Sequence, residues 1–373
     1  MPKTLVISAV NIIEGGTLTV LRDCVDTASK LLKGWRIIVM AHDFGIINIP
    51  GVEVQIFPRA KASWLFRIWL EWIGFKNISQ EIQADLWLSL HDITPRVNTS
   101  MQVVYCHNPA IFYNINLREA FFEPKLLLFK LFYGFIYRTF VRRNRYVIVQ
   151  QQWIRDEFNR RFGNLPIIVA QPCVKFRNIY KNTHHGQSIV FFYPALPRVF
   201  KNIEVLGQAA EILYSRGVCG FEIRLTMSGK ENRYARWLKD RFRHMSTIRF
   251  IGRQNYQQMQ SQYLEASAVV FSSKLETWGL PLTEAKLYGI PLIVADLPYA
   301  HETVGTYDAV SFFPANKPEI LANLMQDLIE KKWKPTGNIE SLPSKPFAKN
   351  WSELLQMIVD DFQNIDVTSG HTL

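Results

Sequence analysis

The sequence predicts an α/β protein made of two Rossmann-like domains that face each other across a cleft. Three observations predict it. A chain of 373 residues is too long for one ordinary domain and fits two. Short apolar runs alternate with helical patterns from end to end, which means a mostly parallel sheet covered on both faces. This rhythm breaks over residues 172–187, a polar and basic stretch without periodicity, and then restarts. The reading is therefore a first domain over 1–174, a linker over 175–187 and a second domain over 188–344.

In the first half the expected strands are 4–10, 36–40, 52–56, 86–90, 102–106, 146–149 and 167–170. The first helix is signalled by Thr17 as N-cap, by Leu18, Leu21, Val25, Ala28 and Leu32 at helical spacing, and by Gly34 as a stop. In the second half, strands at 188–193, 221–227, 247–251, 268–272 and 291–295 alternate with helices at 203–215, 234–242, 256–266 and 282–288. Residues 345–362 read as an amphipathic helix with Trp351, Leu354, Leu355 and Ile358 on one face. Residues 364–373 are expected to be a loose tail.

Hydrophobic residues make up 48% of the chain and charged residues 20%, which excludes a disordered protein. The excess of 43 Lys and Arg over 32 Asp and Glu gives a net charge of +11, suited to an anionic partner such as nucleotide phosphates or acidic lipid. Cys24, Cys106, Cys173 and Cys219 are scattered, so neither a zinc site nor a disulfide scaffold is expected, and a reducing, cytoplasmic compartment is. Residues 4–10 read as a first core strand and not as a signal peptide. The most apolar stretch, 126–141, is interrupted by Lys130 and Arg138 and is not expected to span a bilayer.

The segment that carries chemistry is 271–302, FSSKLETWGLPLTEAKLYGIPLIVADLPYAHE. It reads as a strand end, a loop over 274–280 and a helix led by Pro281. Unpaired amides and the positive end of a helix dipole suit a diphosphate. Glu276 and Glu284 flank seven residues, and a carboxylate accepts hydrogen bonds from two vicinal hydroxyls, as a ribose or a hexose offers.

This pattern resembles the signature of family 4 of the retaining glycosyltransferases, which have the GT-B fold: E-x7-E, an apolar helix, a small residue, Pro and a V-A strand. The resemblance implies that Glu276 contacts the hydroxyls of the donor sugar and Glu284 the ribose. It implies that backbone groups of Thr277, Trp278, Gly279 and Leu280 hold sugar and diphosphate, with Trp278 standing where a Phe is usual. Three further sites agree with it. Glu14-Gly15-Gly16 follows the first strand, and a glycine at Gly16 lets backbone approach the reacting centre. His107 follows the strand 102–106 and is expected to line the donor sugar pocket. In PALPRVFKNIEVL, Lys201 and Arg198 are expected to balance the charge of the diphosphate leaving group. Gly252 and Arg253, after a later strand, lie where the family holds the nucleotide base, and Gly229 ends another strand. His91 and Asp92 occupy a position similar to that of His107, one strand earlier; they either contact the acceptor or cap a turn, and turn-capping is the favoured reading. The resemblance also implies that the last helix returns to the first domain, so that 345–373 complete it.

No D-x-D pair occurs, so no metal and no cofactor is expected beyond the nucleotide diphosphate sugar itself. Lys125, Lys130, Arg138, Arg142, Arg143, Arg145 and Arg155 alternate with apolar residues in a stretch free of acids, and 61–76 holds three tryptophans among basic residues. Both suit an anionic membrane surface, hence a lipid-linked saccharide acceptor and a place on the inner face of the cytoplasmic membrane. The resemblance points to bacterial O-antigen, capsule or exopolysaccharide assembly. A nucleotide-sugar 2-epimerase of the same fold and a noncatalytic basic binding protein are the rival readings. Nucleic acid is not an expected partner, since no helix-turn-helix, zinc-finger or RNP motif occurs.

Overall fold

The computed structural model describes residues 2–13, 16–172 and 188–370, with the side chains of 366–370 excepted. Glu14, Gly15 and the expected linker 175–187 lie outside the described residues. The chain divides into two compact units, one of 1–112, 130–173 and 343–373, the other of 113–129 and 174–342. This differs from the expected boundary at one place: the segment 113–129 groups with the second unit. The reason is chemical, because its Glu119 and Glu123 pair with Lys274 and Arg198 of that unit.

The first unit contains strands β1 (Thr4–Ser8), β2 (Arg36–Ala41), β3 (Val52–Ile56), β4 (Leu86–Ser89), β5 (Met101–Cys106), β6 (Tyr146–Val149) and β7 (Ile167–Ala170). The second contains β8 (Ile189–Tyr193), β9 (Phe221–Leu225), β10 (Ile248–Phe250), β11 (Ala268–Phe271), β12 (Leu292–Ala295) and β13 (Val310–Phe313). A short β14 (Phe347–Ala348) returns to the edge of the first sheet beside β7. Every pairing is parallel, in the orders β14-β7-β6-β5-β4-β1-β2-β3 and β10-β9-β8-β11-β12-β13. In each order the direction of travel reverses once, between β1 and β4 in the first sheet and between β8 and β11 in the second.

Period-two alternation divides the first core. Leu5 and Ile7 face one layer, with Val20, Leu21 and Val25 of the helix Gly16–Leu31; Val6 faces the other, with Leu70, Phe75 and Trp87. The helix Trp351–Gly370 packs into the first layer through Leu354, Leu355, Ile358 and Phe362. Trp351 stacks on Tyr105 at 5.4 Å, and Arg145 holds Asp361 through two hydrogen bonds of 2.6 and 2.8 Å. The last helix therefore belongs to the first unit, as expected, but it begins only at Trp351: residues 345–350, read as its start, instead carry β14, which pairs with β7. The helix also runs to Gly370, so the expected tail over 364–370 is corrected to helix: no proline or glycine interrupts it earlier, and Ile365 still packs on the core. A further correction concerns Thr17, which lies inside the first helix and not at its cap, because the helix already begins at Gly16.

Candidate active site

In open parallel sheets, ligands bind outside the carboxyl ends of the strands at the point where strand order reverses. In the second unit that point lies between β8 and β11, adjacent parallel strands with Phe191 opposite Ala268. The turn after β8 carries Arg198 and Lys201; the loop after β11 carries Glu276. Hydrogen bonds lace the two together. The Tyr193 hydroxyl donates to the Lys201 carbonyl at 2.7 Å, the Ser272 hydroxyl to the carbonyls of Lys201 and Asn202 at 3.1 and 3.0 Å, and the Lys274 amide to the Phe200 carbonyl at 2.7 Å. Asn202 takes up the left-handed conformation, φ 53°, which ends the short 3-10 turn Val199–Lys201 before the helix Glu204–Ser215. That kink aims the Lys201 ammonium at the Glu276 carboxylate, and the two form a largely buried ion pair. The ammonium also lies 5.5 Å from the Phe271 ring and 5.7 Å from the Phe200 ring.

Gly279 caps the following helix, Leu280–Leu287, with φ 80°, a conformation that a side chain resists, and Pro281 occupies its first turn. Amides in a first turn lack intrahelical acceptors. Thr277 is half-buried in the loop; the Trp278 indole is buried and donates to the Thr283 hydroxyl at 3.0 Å, and its carbonyl accepts from the Thr303 hydroxyl. Glu284 sits on this helix and accepts from the Tyr263 hydroxyl at 2.5 Å. Burial raises the Glu284 carboxyl above its ordinary pKa, against the opposing pull of that hydrogen bond.

The structure thus brings Lys201 and Glu276 into contact and places Thr277–Leu280 and Glu284 on the same strand-loop-helix. Arg198 points elsewhere: its Nε donates to Glu123 at 2.7 Å, and the other oxygen of Glu123 accepts from the Val199 amide at 2.8 Å. Gly252, φ 74°, donates its amide to the Met227 carbonyl at 3.0 Å, and Arg253 beside it is exposed. Gly229, φ 83°, turns the chain after β9.

In the first unit the reversal lies between β1 and β4. Gly16 is exposed at the start of the helix after β1. His107 directly follows β5, its ring 5.7 Å from that of Tyr105, and its amide donates to Asp92 at 2.7 Å; the Asn108 amide donates to the same oxygen at 3.0 Å. Asp92, φ 70°, is therefore a turn-capping residue as read from the sequence. His91 is not. It is wholly buried, its Nε2 2.8 Å from Ser8 Oγ and its Nδ1 3.1 Å from Glu71. Arg67 donates to the His91 carbonyl at 2.9 Å. Burial first, and Arg67 second, press the His91 imidazole well below its usual pKa; burial pushes the Glu71 carboxyl up to about 8, with Arg67 opposing. Glu71 occupies a π-helical turn, Leu70–Gly74, a distortion frequent at functional sites. Sequence reading missed Glu71, Arg67 and Glu123. The signal for Glu71 was a lone acid inside the apolar run WLEWIGF.

Residues 175–340 match the family described as Glycosyl transferases group 1. Solved structures match nearly end to end. A sucrose-phosphate synthase from Thermosynechococcus elongatus shares 15% identity and a TM-score of 0.65, with 98% of this chain and 100% of that one covered. The fold is that of the GT-B glycosyltransferases. WaaG, a glycosyltransferase involved in lipopolysaccharide biosynthesis, shares this GT-B fold at 13% identity and a TM-score of 0.62, over 87% of this chain and 90% of its own. Anabaena HepE, solved in complex with UDP-glucose, does so at 15% identity and a TM-score of 0.58, over 98% and 99%. No curated protein matches the chain in sequence. Together the family match and the GT-B neighbours support a glycosyltransferase.

Proposed function

We propose that this chain is a retaining, metal-independent glycosyltransferase of family 4 that moves a sugar from a nucleotide diphosphate donor to a lipid-linked saccharide acceptor. The observation that carries the reading is the Lys201–Glu276 pair at the reversal point of the second sheet, beside a glycine-capped helix that bears Glu284. One carboxylate accepts from the hydroxyls of the donor sugar, the other from the ribose, and the amides of the 277–280 turn face the diphosphate. As the bond between the sugar C1 and the phosphate oxygen loosens, negative charge grows on the departing diphosphate. Lys201, held at the site by Glu276, stabilises it, with Arg198 as the second cation. The acceptor hydroxyl attacks C1 from the same face, and its proton passes to an oxygen of the leaving phosphate, so no side-chain nucleophile is needed. By the family resemblance His107 and Gly16 serve the donor sugar, and Gly252 and Arg253 the base.

Surface chemistry supports a membrane-bound acceptor. The helix Pro124–Arg138 leaves Leu131, Phe132 and Phe135 exposed, and the segment around Trp64–Gly74 leaves Trp64, Leu65, Trp69 and Ile73 exposed. The Trp72 and Phe140 rings meet edge-on at 6.1 Å, so the two segments are neighbours within the first unit. Lys61, Lys76, Lys130, Arg138, Arg142 and Arg143 belong to the same two stretches. Two expected members leave the set: Arg155 is buried and bonded to Ser344, Ile167 and Pro346, and Arg145 pairs with Asp361. Among the described residues, no helix is long and apolar enough to cross a membrane. We therefore assign the protein to the inner face of the cytoplasmic membrane, in surface-polysaccharide assembly of the O-antigen type.

The test is a thermal-shift screen of UDP-, GDP- and dTDP-sugars, followed by turnover of the sugar that stabilises the fold. Glu276→Ala is expected to lower turnover by about 10²-fold or more while the chain still folds, as a cooperative melting transition would show. Near-normal turnover in that variant removes Glu276 from the reaction. Undiminished activity in EDTA checks metal independence, and the anomeric coupling in the product NMR spectrum checks retention.

A further inference from the structure

The segment 113–129 is the one part of the early chain that groups with the second unit, and it brings carboxylates to the cations of the donor turn. Glu123 stands at the end of the short helix Leu117–Phe122, immediately before Pro124. One of its oxygens takes the Arg198 Nε at 2.7 Å and the other the Val199 amide at 2.8 Å. A carboxylate that accepts from a guanidinium and from the neighbouring backbone amide makes the contacts a phosphate oxyanion makes. Arg198 lies three residues from Lys201, and both cations lie against the same Phe200 ring, at 5.3 and 5.7 Å.

We propose that Glu123 is an internal anion that holds the Arg198 turn in the absence of donor and competes with the donor diphosphate for it, so that Glu123 sets donor affinity. The inference rests on the donor reading given above. The pair is suited to exchange. The Arg198 side chain is 43% exposed, so its guanidinium can turn to a ligand in solvent, while Glu123, 11% exposed, keeps the Val199 amide. A diphosphate brings at least two negative charges against the one of Glu123. Its neighbour Glu119 makes the opposite case. It is buried, accepts from the Tyr113 hydroxyl at 2.7 Å, closes a capping box with Asn116 and holds Lys274 at 3.3 Å. It is built into the segment and is not available for exchange.

Calorimetric titration of the full chain with UDP and with inorganic pyrophosphate tests this. Glu123→Gln, which keeps an acceptor for the Val199 amide but removes the charge, is expected to bind both ligands about two- to fivefold more tightly than the parent. The gain is expected to vanish in an Arg198→Gln background, where single and double variants bind alike. Glu119→Gln is expected to lower the melting temperature without tightening binding. Glu123→Asp, shorter by one methylene, gives the same sign of change should the Gln variant fold poorly. Unchanged or weaker binding by the folded Glu123 variants overturns the proposal, as does a gain that survives loss of Arg198. If the parent itself binds neither UDP, GDP, dTDP nor pyrophosphate, the donor reading fails, and this inference with it.

Discussion

Glu276 and Glu71 show how the same side chain acquires different chemistry from its surroundings. Glu276 keeps some contact with solvent and meets a lysine, so it stays available to a polyhydroxylated ligand. Glu71 is sealed against His91 and Arg67. Its pKa in the folded state, about 8, lies above the ordinary 4.5, so between those values the folded chain holds a proton that the unfolded chain has lost. Stability from this residue is therefore fully present below pH 4.5 and is lost as pH rises through about 8. Glu71→Gln removes that loss. Melting curves from pH 5 to pH 9 should show the parent falling relative to the variant at the alkaline end; parallel curves would mean that Glu71 is ionised throughout. At the donor turn, Lys201→Ala leaves Glu276 without its cation and, on the donor reading proposed above, the diphosphate without its nearest positive charge. A fall in kcat of about 10²-fold is expected in steady-state assays with saturating acceptor.

At the scale of elements, the last helix is the clearest case of sequence pattern becoming structure. Its apolar stripe was readable at 351–358, and the structure continues it through Val359 and Phe362 into the layer beside the helix Gly16–Leu31. Leu355 is fully buried there, so Leu355→Ala is expected to cost about 2–5 kcal/mol, measured by urea unfolding of the full chain. A cost below about 1 kcal/mol would mean that the helix docks loosely. Strands with long apolar runs were placed within a residue or two, β3, β6 and β7 without error. β13 and β14 were not foreseen. β13 is only VSFF and β14 only two residues, too short for a period, and each is defined by the partner strand it meets, β12 or β7. The helix Leu280–Leu287 begins one residue before Pro281 because Gly279 can take φ 80° and start the turn.

For the whole molecule, the net charge of +11 acquires a place once the fold is known. The two aromatic and basic segments are far apart in the chain, yet Trp72 and Phe140 join them. Leu65 is 76% exposed and Phe135 71%, a large exposure for such side chains beside so many cations. Flotation with liposomes should recover the protein with anionic vesicles more than with neutral ones, less so in high salt, and Leu65→Asp with Phe135→Asp should abolish recovery while melting is unchanged. Equal recovery of parent and variant would remove this surface from the proposal.

The sequence by itself determined the α/β class, the two-sheet plan and the segment 271–302, because parallel strands buried on both faces leave apolar runs and a loop-helix motif is local in the chain. It also marked Lys201, Glu276 and Glu284 individually. Only the tertiary structure decided how they are arranged: that Lys201 pairs with Glu276, that Arg198 turns to Glu123, and that His91 is locked between Ser8 and Glu71. Those contacts join residues separated by 20 to 83 positions. Such pairings follow from strand order and from which carboxylate lies nearer a given cation, and neither leaves a period or a spacing to be read along the chain.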